Sequence, residues 1–151
     1  MCGIAGAISF REDMRGDMKV YEKMQRAMQR RGPDQKGIML MENAALIHTR
    51  LAVIDISGGR QPMSFSVNGK SVTIVYNGEL YNTEELRREL ESEIGFETRS
   101  DTEVVLKSYI VWGEKCLERL NGIFAFVIYD ERKKQAFIAR DRIGVKPLFY
   151  S

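Results

Sequence analysis

The chain has 151 residues, 44% hydrophobic and 29% charged, which suits one domain with its own core and excludes intrinsic disorder, collagen-like repeats and a coiled coil. Lys+Arg 23 against Asp+Glu 21 gives a net charge of +2, too small for a nucleic-acid or polybasic membrane surface. No apolar run approaches the ~20 residues of a membrane span, and the first ten residues carry no basic residue, unlike a signal or transit peptide.

Residues 2–9 are apolar and small, and predict a buried strand. Asp17 as N-cap, followed by Met18, Tyr21, Met24 and Met28 at helical spacing, predicts a core-packed helix that Gly32-Pro33 stops. Residues 37–54 predict a hairpin with Glu42-Asn43 at its turn. Residues 55–69 collect Gly, Ser, Pro and Asn and predict a long loop. Within it, Ser57-Gly58-Gly59 lacks the continuation of a phosphate loop. Ser71 to Tyr76 predicts a strand that breaks at Asn77-Gly78. Asn82 with Glu85, and Ser100 with Glu103, are capping-box patterns that open two helices. Leu86, Leu90 and Ile94 carry the first, which Gly95 ends; Val104, Val105, Tyr109 and Trp112 carry the second. Residues 123–129, 136–140 and 147–150 predict strands, with a polar turn over 130–134. Strands, then helices, then strands again suit an α+β domain of sheets packed against helices.

Cys2 is the first residue with chemical potential. Removal of Met1 leaves a thiol and an α-amine on one residue, so nucleophile and base are supplied together. The plain alternative is a small apolar side chain at the start of a core strand. Asn77 and Gly78 offer a side-chain amide and a backbone N–H to a developing oxyanion, or they form an ordinary Asn-Gly turn. Arg50 suits the α-carboxylate of a free amino acid, and Glu79 and Asp101 suit its ammonium. A surface charge at Arg50 and a helix-dipole role for Asp101 are the competing readings. His48 is the single histidine, so a Cys–His pair with Cys2 or Cys116 is a rival mechanism, although its apolar neighbours favour a satisfied core histidine. No Cys/His spacing fits a metal site, and two distant cysteines point to a reducing, cytoplasmic setting rather than a disulfide framework.

In combination and order these residues resemble a known family. Met1-Cys2-Gly3-Ile4-Ala5-Gly6 is similar to the start of class II, N-terminal-nucleophile glutamine amidotransferases. Arg31-Gly32-Pro33-Asp34, His48-Thr49-Arg50-Leu51, Gln61-Pro62-Met63, Asn77-Gly78-Glu79-Leu80-Tyr81-Asn82, Ser100-Asp101-Thr102-Glu103 and Arg140-Asp141-Arg142 narrow the likeness to the glutaminase domain of glutamine-hydrolysing asparagine synthetases. The resemblance implies a four-layer αββα sandwich of N-terminal nucleophile hydrolases, with residues 1–151 as one type-2 amidotransferase domain, truncated at its C-terminus and without its synthetase half.

It further implies hydrolysis of L-glutamine to glutamate and ammonia through a Cys2 thioester, with Asn77 and Gly78 as oxyanion hole. Arg50 then holds the substrate carboxylate, Glu79 and Asp101 hold its ammonium, and the backbone of Leu51, Ala52, Val53 and Ile54 lines the pocket. No cofactor is expected in this fragment; ATP and Mg²⁺ belong to the absent synthetase domain. The implied partners are L-glutamine and that C-terminal domain, with no nucleic acid and no membrane, and a homodimer left open. Two alternatives stand beside this reading: the glutaminase domain of a class II enzyme with an amino-sugar or nucleotide-precursor acceptor, and a non-catalytic interaction module.

Overall fold

The computed structural model describes residues 2–51 and 58–151. Strands β1 (Gly3–Ile8), β2 (Gln35–Leu40) and β3 (Ala44–Arg50) form an antiparallel sheet in the order β1-β3-β2. Strands β4 (Met63–Val67), β5 (Lys70–Leu80), β6 (Gly122–Asp130) and β7 (Gln135–Arg140) form a second antiparallel sheet in sequence order. Helix α1 (Met18–Ala27) precedes β2, while α2 (Thr83–Leu90) and α3 (Asp101–Trp112) lie between β5 and β6 in sequence.

Side-chain alternation along the strands builds the layers. On β3, Ala45 and Ile47 face α1 and meet Tyr21, Met24 and Met28, so the methionine stripe is core packing. The other face of β3 sends Ala44 and Leu46 against Val75 of β5 and Tyr129 of β6, which joins the two sheets. On β5, Val72, Ile74 and Tyr76 turn the opposite way and pack with Phe124, Phe126 and Ile128 against Leu86, Val105 and Tyr109 of the helices. The order of layers is helix, sheet, sheet, helices. This is the αββα sandwich expected of an N-terminal nucleophile hydrolase.

Three elements differ from the sequence expectation. The segment expected to be loop over 55–69 contains β4; of it, residues 58–69 are described. Its hairpin with β5 turns on Asn68 (φ 52°) and Gly69 (φ 75°), the left-handed pair that a two-residue turn requires. The strand expected to break at Asn77-Gly78 continues to Leu80, because β6 pairs with it through Leu80↔Gly122. Residues 147–150 form no strand: Phe149 and Tyr150 are exposed and pair with nothing among the described residues.

Candidate active site

Cys2 stands immediately before β1, whose Gly3 is paired with Thr49, and this register sets Cys2 beside Arg50 at the end of β3. The Cys2 thiol points to the Leu51 carbonyl at 3.9 Å, and its own carbonyl accepts from Arg31 Nε at 3.3 Å. Gly32 explains the next part of that segment. A Cβ at Gly32 would lie 2.3 Å from the Thr49 carbonyl carbon and 2.4 Å from the Arg50 nitrogen, so the chain passes here only without a side chain. Asp34 N–H then donates to the Arg50 carbonyl at 3.0 Å. The buried Arg50 side chain donates to Gln35 Oε1 at 2.8 Å.

Opposite stands the end of β5. The β5–β6 register fixes which way each backbone group points. Glu131 N–H donates to the Ser71 carbonyl and Tyr81 N–H to the Asn121 carbonyl, so odd-numbered residues of β5 are the hydrogen-bonded partners of β6. Even-numbered residues therefore turn their N–H groups to the other edge, where β4 pairs no further along β5 than Ile74. Tyr76 N–H donates there to Gln61 Oε1 at 2.6 Å, and Leu80 N–H to Asp101 Oδ2 at 3.3 Å. Gly78 lies between them, and its N–H points the same way with no acceptor among the described residues. Its missing side chain is equally needed, since a Cβ would sit 2.5 Å from the Ile123 carbonyl oxygen.

Asp101 opens α3, with Ser100 as N-cap accepting from Glu103 N–H at 3.3 Å. The Asp101 carboxylate also accepts from the Tyr76 hydroxyl at 3.0 Å. Burial pushes the Asp101 carboxyl above its ordinary range, while those hydrogen bonds oppose the shift. Burial, then the neighbouring Asp101 charge, keeps the Tyr76 phenol protonated well beyond its usual range.

Cys2, Arg50, Leu51, Asn77, Gly78, Glu79 and Asp101 line one cavity of about 250 Å³. Ala52, Val53 and Ile54 lie outside the described residues. Gly59, Gln61, Tyr76, Ser100, Thr102 and Lys146 complete the lining. Sequence reasoning assigned none of these a role in the site. The alternation of β5 was the available signal for Tyr76, which faces α3 rather than the opposing sheet.

His48 is absent from this lining and 1% exposed. Its Nε2 lies 3.2 Å from the Tyr76 carbonyl, which only accepts, so Nε2 carries the proton. Burial lowers its pKa to about 4. Cys116 is fully buried on the helix side of the second sheet, and burial raises its thiol to about 12. The Cys–His alternative with Cys116 thus has a sheet between its two members. Among the described residues no cluster of His, Cys, Asp and Glu could hold a metal, and no helix is long and apolar enough to cross a membrane.

The whole chain, residues 1–151, matches the family model described as the glutamine amidotransferase domain. The chain belongs to that family. This amidotransferase domain is 49% identical over 152 residues to Asparagine synthetase [glutamine-hydrolyzing] 3 of Bacillus subtilis (strain 168), covering 100% of this chain and 25% of that protein. It is 38% identical over 149 residues to Asparagine synthetase B [glutamine-hydrolyzing] of Escherichia coli (strain K12), covering 99% of the chain and 26% of that protein. Among solved structures it resembles glutamine phosphoribosylpyrophosphate amidotransferase from B. subtilis, with a TM-score of 0.60 and 29% identity over 72% of this chain and 25% of that one. The amidotransferase domain therefore spans about a quarter of the length of the curated relatives it matches.

Proposed function

We propose that this domain hydrolyses L-glutamine to glutamate and ammonia, and that the ammonia serves asparagine synthesis from aspartate in a protein that also carries a synthetase portion. The observation that carries the reading is the single cavity in which Cys2, the outward Gly78 N–H, Asn77, one guanidinium and two carboxylates converge. The Arg50 guanidinium and the Glu79 and Asp101 carboxylates match the carboxylate and ammonium of a free amino acid, with Lys146 a second cation on the lining. The 49% identity along the whole chain favours the asparagine branch over other acceptors.

The chemistry follows from the placement. With Met1 removed, the Cys2 α-amine accepts the thiol proton, and Sγ attacks the side-chain carbonyl carbon of glutamine. The oxyanion is met by Gly78 N–H and the Asn77 amide. Collapse breaks the C–N bond, and the departing nitrogen takes the proton from the α-amine and leaves as ammonia. Water then adds to the γ-glutamyl thioester with the amine again as base, releasing glutamate and restoring the thiol. Arg50 holds the α-carboxylate, Glu79 and Asp101 hold the ammonium, and Leu51 lines the substrate. ATP and Mg²⁺ belong to the synthetase portion; no metal-binding cluster is present among the described residues, and no step here runs through either.

Replacing Cys2 by Ala in the full protein is expected to abolish ammonia release from glutamine while synthesis from free ammonia continues. An N-terminal extension ahead of Cys2 is expected to do the same, because an amide nitrogen is no base. Ammonia release that persists in either variant refutes the mechanism.

A further inference from the structure

Gln61 joins two parts of the cavity that the chain brings from different places. Its Oε1 accepts from Tyr76 N–H at 2.6 Å, one residue before Asn77 and two before Gly78. Its Nε2 donates to Thr102 Oγ1 at 3.1 Å, one residue after Asp101. The orientation of the amide is fixed, since a backbone N–H can be met only by the oxygen. The bond to Tyr76 stands where β4 would have to continue: β4 pairs with β5 only as far as Met63↔Ile74, and the Gln61 side chain takes over the next outward N–H. The backbone of Gln61 is held in turn by the first sheet. A Cβ at Gly37 of β2 would lie 2.0 Å from the Gln61 carbonyl oxygen, so the two backbones are in direct contact. One side chain thus ties the edge of β5 to the first turn of α3 from a base on β2.

Resting on the glutaminase reading above, we propose that Gln61 is a positioning residue for glutamine turnover. It sets the distance between the oxyanion donors at Asn77 and Gly78 and the ammonium site at Asp101. The groups that meet the two ends of a glutamine molecule in that reading lie one or two residues from the atoms Gln61 bonds. Loss of the bridge lets β5 and the α3 terminus separate, and a misplacement near 1 Å at a reacting centre costs up to roughly 100-fold in rate.

The test compares steady-state glutamine hydrolysis by the full protein and its Gln61→Met, Gln61→Glu and Thr102→Val variants, with alkylation of Cys2 by iodoacetamide alongside. Gln61→Met keeps the volume and removes both bonds; kcat is expected to fall about 10-fold or more and KM to rise. Gln61→Glu keeps an acceptor for Tyr76 N–H, and the Thr102 hydroxyl can donate to the new carboxylate, so kcat returns to within about 3-fold of wild type. Thr102→Val frees only the α3 end and is expected to raise KM several-fold with kcat within about 2-fold. Iodoacetamide needs neither the oxyanion donors nor the ammonium site, so its rate stays at the wild-type value in all three. Wild-type kcat/KM in Gln61→Met, equal losses in the Met and Glu variants, or an alkylation rate that falls in step with kcat overturns the inference. Absence of hydrolysis in the wild type is a separate result and overturns the glutaminase reading itself.

Discussion

Of the three Asn-Gly pairs in this chain, Asn68-Gly69 and Asn77-Gly78 meet opposite fates, and the difference bears on the proposed oxyanion site. Asn68-Gly69 takes positive φ at both residues and turns the β4–β5 hairpin. Asn77-Gly78 stays extended, because pairing with β6 runs through Asn77↔Ala125 and Gly78↔Phe124. The dipeptide alone does not distinguish them. What distinguishes them is a long partner strand beside the second pair and none beyond the first. Asn77 is thereby kept buried at the cavity wall, with Gly78 N–H beside it at a sheet edge beyond the reach of β4 pairing. Replacing Asn77 by Ala is expected to lower kcat for glutamine hydrolysis about 10²- to 10³-fold, about 2.7–4 kcal/mol of barrier, with a smaller effect on KM. Single-turnover measurement of thioester formation checks this.

At the scale of elements, the two capping-box patterns show how a shared local signal divides in tertiary context. At α3 the cap forms, and the carboxylate of Glu103 reaches the N–H groups of Glu97 and Thr98 at 2.8 and 2.6 Å instead of its own cap residue. At α2 the Asn82 side chain makes no cap bond. Its amide donates to the Arg119 carbonyl at 2.9 Å and accepts from Asn121 N–H at 3.1 Å, pinning the helix to the approach of β6. The α3 cap matters for the site because Asp101 is the first residue of that helix. Ser100→Ala removes the cap acceptor, which is typically worth about 1 kcal/mol. The expected outcome is a loss of that size in urea unfolding, accompanied by a higher KM for glutamine with kcat little changed.

At the scale of the molecule, His48 links the two sheets, since its ring on β3 donates to the Tyr76 carbonyl on β5. The folded-state pKa of about 4 lies below the ordinary value of 6.5, so the folded state holds the ring neutral and the unfolded chain binds the proton first. The stability from the neutral ring is complete above pH 6.5 and is lost as pH falls toward 4. That loss reaches on the order of 3 kcal/mol by pH 4. Urea unfolding of wild type and His48→Gln across this window is expected to show the variant gaining relative stability as pH falls. Parallel curves would place the proton-linked group elsewhere.

Local order was legible before any coordinates: α1, α3 and the strands around residues 2–9, 44–50 and 123–140 rest on spacing and capping, and the candidate set Cys2, Arg50, Asn77, Gly78, Glu79 and Asp101, named from ordered motifs, lines one cavity. These signals lie within a few residues of one another, or along one strand or helix, and so are carried by the chain itself. The direction of the Gly78 N–H, the bridge made by Gln61, the Tyr76–Asp101 contact and the closed-off position of His48 were decided only when the sheets met. Each depends on register between segments tens of residues apart, and a one-residue slip in β5 against β6 would turn the Gly78 N–H and the Tyr76 side chain the other way.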